Sequence, residues 1–160
     1  MKKTALITGI NGQDGSYLAE FLLQKGYEVW GILKRNSVAE NQTARLNEVY
    51  SDLKLEYADL TDLASLIRVI AKVQPNELYN LAAQSHVRIS FDQPLYTANT
   101  TGIGALNILE AVRMVSHYTK IYQASSSEMY GFNIRNQKKL NEKSYFNSIY
   151  FICGATKSAG

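Results

Sequence analysis

The chain is poor in the residues that staple or metallate small domains: its 160 residues include one cysteine, Cys153, and two histidines, His86 and His117. A single thiol rules out an intrachain disulfide. The histidines lie far apart, with neither a second cysteine nor an acidic cluster beside them, so no zinc-ligand spacing is present. Charge of one sign is also missing. Seventeen Lys and Arg against fourteen Asp and Glu leave a net charge of +3. No stretch gathers cations into the basic stripe that nucleic-acid binding needs, and Lys138-Lys139 reads as solvated loop surface. Long apolar runs are absent as well. Lys2-Lys3 followed by Thr4–Thr8 begins like a signal peptide, but the run breaks at once into Gly9-Ile10-Asn11-Gly12. Nothing else approaches the roughly 20 apolar residues of a membrane span. The expectation is a soluble, cytoplasmic protein with no nucleic-acid and no membrane partner.

What is present is the ordinary globular mix, 46% hydrophobic and 19% charged, in a length that suits one domain with a sizeable core. Short β-rich runs alternate with amphipathic stretches, the signature of a parallel α/β sheet. Strands are expected at 4–8, 27–33, 54–58, 77–81 and 119–124. Helices are expected at 16–25, with Tyr17, Leu18, Phe21 and Leu22 on one face, and at 61–73, with Leu63, Leu66, Ile67 and Ile70 at i, i+3, i+4 and i+7. A longer one is expected at 97–116, with Ala105, Ile108, Leu109 and Val112 inward. Residues 36–51 read as a polar loop with a short helix, 131–147 as a long polar loop, and 149–160 as the start of another helix. The predicted fold is a Rossmann-type doubly wound parallel sheet, truncated after about five strands, with no substrate domain.

Gly9, Gly12 and Gly15 form G-x-x-G-x-x-G between the first strand and the first helix. One glycine permits the tight turn, the next lets backbone approach a pyrophosphate, and the third lets helix and strand pack closely. A diphosphate would then rest on the helix N-terminus, where N–H groups and the macrodipole favour anions. The plainer alternative is a tight βα turn with no ligand, but strand and helix flank the glycines correctly for a dinucleotide. The second strand ends in Lys34-Arg35, with no acid before Glu40. NAD enzymes tend to place an acid there for the ribose 2′-hydroxyl, whereas cations attract a 2′-phosphate. That favours NADP over NAD.

The run Thr8-Gly-Ile-Asn-Gly-Gln-Asp-Gly-Ser-Tyr-Leu18 resembles the extended short-chain dehydrogenase/reductase superfamily and, more closely, the GDP-mannose 4,6-dehydratase family. Further matches follow in order: Tyr57-Ala-Asp-Leu60, Tyr79-Asn-Leu-Ala-Ala-Gln-Ser-His-Val87, Ser90-Phe91 with Pro94, Tyr96-Thr-Ala98, and Tyr122-Gln-Ala-Ser-Ser-Ser-Glu-Met-Tyr-Gly131. The motif match covers residues 3–131 and frays beyond, so the whole chain, 1–160, reads as an incomplete NADP-binding Rossmann domain. The resemblance implies that Gly9, Ile10, Asn11, Gly12, Gln13 and Asp14 contact the pyrophosphate and Arg35 the 2′-phosphate. It implies that Asp59 and Leu60 hold the adenine. Leu81, Ala82, Ala83, Gln84 and Ser85 would line the route to the nicotinamide, and Tyr96 would touch the cofactor.

The implied reaction converts GDP-mannose to its 4-keto-6-deoxy product by an internal redox cycle that leaves NADP as it began. Such a cycle needs a base near C5, and Glu128 occupies the matching position. Ser126 stands where the family usually has threonine, and its hydroxyl can still bond the sugar O4. The superfamily's Tyr-x-x-x-Lys turn is broken. Tyr150 matches the tyrosine, but the lysine then falls on Gly154; Lys157 matches the lysine, but the tyrosine then falls on Cys153. Tyr150 and Lys157 would stand about 10 Å apart along a helix. The sequence thus leads to a truncated dehydratase with little activity by itself. The alternatives are a non-catalytic NADP-binding module and a related nucleotide-sugar epimerase or dehydratase. The resemblance also implies a homo-oligomer.

Overall fold

The computed structural model describes residues 2–35 and 43–126. Five strands, β1 (Thr4–Thr8), β2 (Glu28–Leu33), β3 (Lys54–Tyr57), β4 (Glu77–Asn80) and β5 (Lys120–Gln123), form one sheet in the order β3-β2-β1-β4-β5. Every pairing is parallel. This is the doubly wound arrangement expected from the sequence. The chain runs outward from β1 to β3 and then returns to the other side of β1, so the reversal of strand order falls between β1 and β4.

The chain divides into two compact units. The described part of the first is 2–35 and 43–82 with Asn107–Ala124; that of the second is Ala83–Leu106 with Ser125 and Ser126. In the first unit, β1 is buried on both faces, as a central parallel strand must be. Ala5 and Ile7 join Ala19 and Leu22 of helix α1 (Gln13–Gln24), together with Val29, Leu33 and Leu46. On the opposite face Leu6 joins Leu66, Val69 and Ile70 of helix α2 (Leu63–Val73) and Ile108, Ala111 and Val112 of the last helix. Each fully buried Leu or Ile contributes about 1.5–3 kcal/mol, so these two layers carry the unit. Asp62 caps α2, its carboxylate accepting from the N–H groups of Ala64 (3.1 Å) and Ser65 (3.3 Å). Gln74, in the left-handed conformation (φ 47°), ends that helix before Pro75.

The second unit holds short helices α3 (Val87–Asp92) and α4 (Pro94–Thr97), followed by a π turn (Ala98–Ile103) that runs into α5 (Gly104–Val115). The single helix expected over 97–116 is therefore three successive geometries. Two inward faces also need correction. In α1, Tyr17 and Phe21 are 62% and 51% exposed, and the face toward the sheet is Gly15, Ser16, Ala19 and Leu22. In α5, Leu109 is exposed while Ala111 is fully buried. Small residues win at both places because they let a helix axis lie close to the strands. The expected loop 36–51 includes two 3₁₀ turns, Ala44–Leu46 and Tyr50–Asp52. Its residues 36–42, the loop 131–147 and the helix from 149 lie outside the described residues.

Candidate functional site

β1 delivers the chain into a turn that only glycine can make. Gly9 adopts φ 67°, and a Cβ on it would meet the Ala82 Cα and N atoms at 3.0 Å. The Gly9 carbonyl accepts the Gly12 N–H at 2.9 Å, closing the turn. Gly12 is the N-cap of α1, and among the described residues no side chain caps the helix's first turn. Gly15 lies against the turn itself: a Cβ there would run into the Gly9 carbonyl oxygen and come within 2.7 Å of Ile10 Cα. The helix therefore starts at Gln13, three residues earlier than its apolar pattern suggests, and its positive end carries Asp14 in the first turn.

Behind the turn, Thr8 is a buried hub. Its hydroxyl donates to Asn80 Oδ1 at 2.6 Å and accepts the N–H groups of Leu81 (3.2 Å) and Ala82 (3.1 Å). Asn80 Nδ2 in turn donates to Gln123 Oε1 at 2.7 Å. The ends of β1, β4 and β5 are thus tied by one polar chain at the carboxyl edge of the sheet, the edge where ligands of this fold class bind. Sequence reasoning passed over Thr8, Asn80 and Gln123. The available signal was a polar residue at the last position of each of three adjacent strands.

Asp59, just beyond β3, has its carboxylate held on two sides. Oδ1 accepts from the Thr61 N–H and hydroxyl, both at 2.9 Å, and Oδ2 pairs with Lys34 Nζ at 3.1 Å. Burial opposes its ionisation, but the Thr61 donors and the Lys34 ammonium outweigh that and hold its pKa below the usual carboxylate value. Lys34 is therefore engaged with Asp59, and Arg35, exposed at the end of β2, is the next cation in the chain. Leu60 is buried in the core, and Asn107 Nδ2 fixes its carbonyl at 2.8 Å. Asn107 is a further residue that sequence reasoning missed. Ile10 is likewise fully buried, packed in the core between β1 and α1.

Asn11 and Gly12 are half-buried, while Gln13 and Asp14 are exposed on the first turn of α1. Leu81 and Ala82 are half-buried beside Gly9. In the second unit, Ala83 is half-buried, Gln84 buried, and Ser85 and Tyr96 exposed. Ser126 is half-buried and follows Ser125, whose φ of 55° puts it in the left-handed region. Glu128, Tyr150, Lys157 and the competing Cys153 lie outside the described residues.

The sequence profile of the family described as GDP-mannose 4,6 dehydratase matches residues 6–157. The chain belongs to the GDP-mannose 4,6-dehydratase family. The GDP-mannose 4,6-dehydratase of Vibrio cholerae O1 is 51% identical over 160 residues, which cover 94% of this chain and 42% of that protein. Arabidopsis thaliana GDP-mannose 4,6 dehydratase 2 is 55% identical over 144 residues, 81% of this chain and 38% of that one. The Homo sapiens enzyme is 51% identical over 140 residues, 81% and 37% of the two chains. This family member thus spans about two fifths of the length of those relatives. Among solved structures, the Bordetella bronchiseptica enzyme WbmH in complex with NAD+ superposes with a TM-score of 0.80 at 24% identity, over 99% of this chain and 51% of that one. Thermus thermophilus UDP-glucose 4-epimerase in complex with NAD gives 0.81 at 24%, over 98% and 48%. At that identity the likeness is one of fold. Among the described residues, no helix is long and apolar enough to cross a membrane.

Proposed function

We propose that this chain is the NADP-binding part of a nucleotide-sugar lyase, a GDP-mannose 4,6-dehydratase that yields GDP-4-keto-6-deoxymannose. The observation that carries the reading is the β1–α1 turn. Its backbone would strain a Cβ at Gly9 and leaves no room for one at Gly15, and among the described residues no side chain caps the N-terminus of its helix. That cradle fits a diphosphate, which would rest on the backbone of residues 9–14 and the first turn of α1. Asp59 and the Leu60 backbone would take the adenine. Arg35 would take the 2′-phosphate, the cation at the end of β2 being the reason to prefer NADP over NAD. Leu81 to Ser85 and Tyr96 would meet the nicotinamide side.

When bound, the nicotinamide supplies the acceptor for hydride from the sugar's C4 and the donor that returns it to C6. The chain's own groups do the proton work. The Ser126 hydroxyl would hydrogen-bond O4, and the Glu128 carboxylate would take the C5 proton and pass it to the hydroxyl leaving C6 as water. Tyr150 is the candidate to take the O4 proton as the C4 hydride leaves and to return a proton to C5 when the hydride goes to C6, and Lys157 the candidate to hold the ribose. Homo-oligomeric assembly and a cytoplasmic setting belong to the same reading.

Calorimetric titration of the purified chain with NADP+ and NAD+, followed by incubation with GDP-mannose, tests it. The expected result is NADP+ binding at least tenfold tighter than NAD+. Equal affinity for the two would remove Arg35 from its role, and no binding of either would sink the cofactor reading. A keto-sugar product would show that the Tyr150/Lys157 region forms a working site. Binding without product would show a cofactor module only.

A further inference from the structure

The side chain of Gln84 is 8% exposed, and its hydrogen-bonding capacity is almost wholly spent inside its own unit. Nε2 donates to the His86 carbonyl and to Thr97 Oγ1, both at 3.1 Å, while Oε1 accepts the His86 N–H at 2.7 Å. The Gln84 backbone N–H donates to Thr101 Oγ1 at 3.2 Å. Thr97 passes its own hydroxyl proton to the Gln93 carbonyl at 3.0 Å. A carboxamide has two N–H donors, and both are committed. It has none left to offer a dinucleotide.

The pattern is that of a peptide surrogate. The carboxamide pairs with both backbone groups of His86, as a neighbouring strand would, and so holds the segment 83–86, which has no regular ladder of its own. Thr97 and Thr101, four residues apart where α4 gives way to the π turn, supply the two hydroxyls that fasten this segment to the helix. Such turns recur beside functional sites.

We infer that Gln84 is a positioning residue for cofactor binding: its carboxamide locks segment 83–86 so that this segment's backbone and Ser85 are presented to the nicotinamide half. The inference rests on the proposed NADP reading and changes the role that the family resemblance implied for Gln84, from contact to clamp. It also says why glutamine is required there. Glutamate would turn two donors into acceptors facing the His86 carbonyl and the Thr97 oxygen, and methionine would fill the space with no polar group.

The test compares NADP+ with 2′,5′-ADP, which carries the adenosine half and lacks nicotinamide, on wild type, Gln84→Glu and Gln84→Met. Trp30 fluorescence during heating reports whether the first unit stays folded. In both variants NADP+ affinity is expected to fall about tenfold, the cost of one or two lost buried hydrogen bonds. Affinity for 2′,5′-ADP is expected to stay within twofold. Equal NADP+ affinity in wild type and variants overturns the inference. So does a parallel loss of both ligands, which is the mark of a general structural role. Wild type that binds neither ligand refutes the NADP reading and the inference with it. Should the Gln84 variants fail to fold, Thr97→Val removes the acceptor for Nε2 together with the hydroxyl's own bond to the Gln93 carbonyl, leaves the Gln84–His86 pairing in place, and is expected to give the same split between ligands.

Discussion

Thr8→Val is the sharpest probe of how the carboxyl edge of the sheet is held. Valine keeps the shape and the β-branch of threonine but removes the hydroxyl. That hydroxyl serves three partners: it donates to Asn80 Oδ1 and accepts from the N–H groups of Leu81 and Ala82. Thr8 is fully buried and Asn80 is 2% exposed, so the Asn80 oxygen has no route to water once its donor is gone. A buried polar group left unpaired costs about 1–3 kcal/mol. The two N–H groups belong to half-buried residues, where water can replace part of the loss. The sum comes to about 2–4 kcal/mol. Thr8→Ser keeps the hydroxyl and gives up one methyl, about 1 kcal/mol. Urea unfolding followed through Trp30, the chain's single tryptophan, measures both, with the slope against urea expected to stay constant. If Thr8→Val lies within about 0.5 kcal/mol of wild type, or if serine costs as much as valine, the hydroxyl is not the hub described above.

Two further outcomes follow from the same geometry. Gly15→Ala should destabilise the chain by about 1–3 kcal/mol and abolish NADP+ binding together, because the added Cβ drives α1 off the Gly9 carbonyl and the Ile10 backbone; unchanged binding would show that the turn is not the cradle. Stability should also fall on the acid side. The Glu28, Glu56 and Glu77 pKa values are lowered, chiefly by hydrogen bonds from Lys54, Lys72 and Tyr79 respectively, and the Asp59 value is lowered despite its burial. Each group binds a proton less readily folded than unfolded. Its contribution is therefore complete above the ordinary values of 4.5 for Glu and 3.8 for Asp and is lost as pH drops through the lowered ones. The urea midpoint should decline below about pH 4.5, and a flat profile down to pH 3 would contradict these pairings.

The alternation of strands and helices was legible because β1, β2 and β4 are short apolar runs bounded by turn residues, and the glycine spacing located the βα turn. What the sequence hid has three physical sources. The α1 face was misjudged because apolar periodicity rewards large residues, and Tyr17 and Phe21 outweigh Gly15, Ser16 and Ala19 on that measure. The sheet instead demands small ones, since Gly15 must touch the Gly9 carbonyl. The stretch 97–116 concealed a π turn because widening a helix by one residue leaves most apolar positions in phase; only the roles of Leu109 and Ala111 exchange. The polar chain Thr8–Asn80–Gln123 stayed invisible because each member looks like an ordinary strand end. Its meaning exists only when residues 72 and 43 positions apart are brought together.

The reversal of strand order at β1 has a consequence for how such a chain can change. In folds of this class the connections leaving the two strands at the reversal travel in opposite directions, so the crevice we propose for the cofactor follows from the itinerary of the backbone and from no particular side chain there. Substitutions in the turns can retune what enters that opening without closing it. Relocating it would require the strands to be visited in a different order, which no series of point changes accomplishes. The address of the proposed site is thus written into the topology, while the identity of its occupant is left to residues that single substitutions can change.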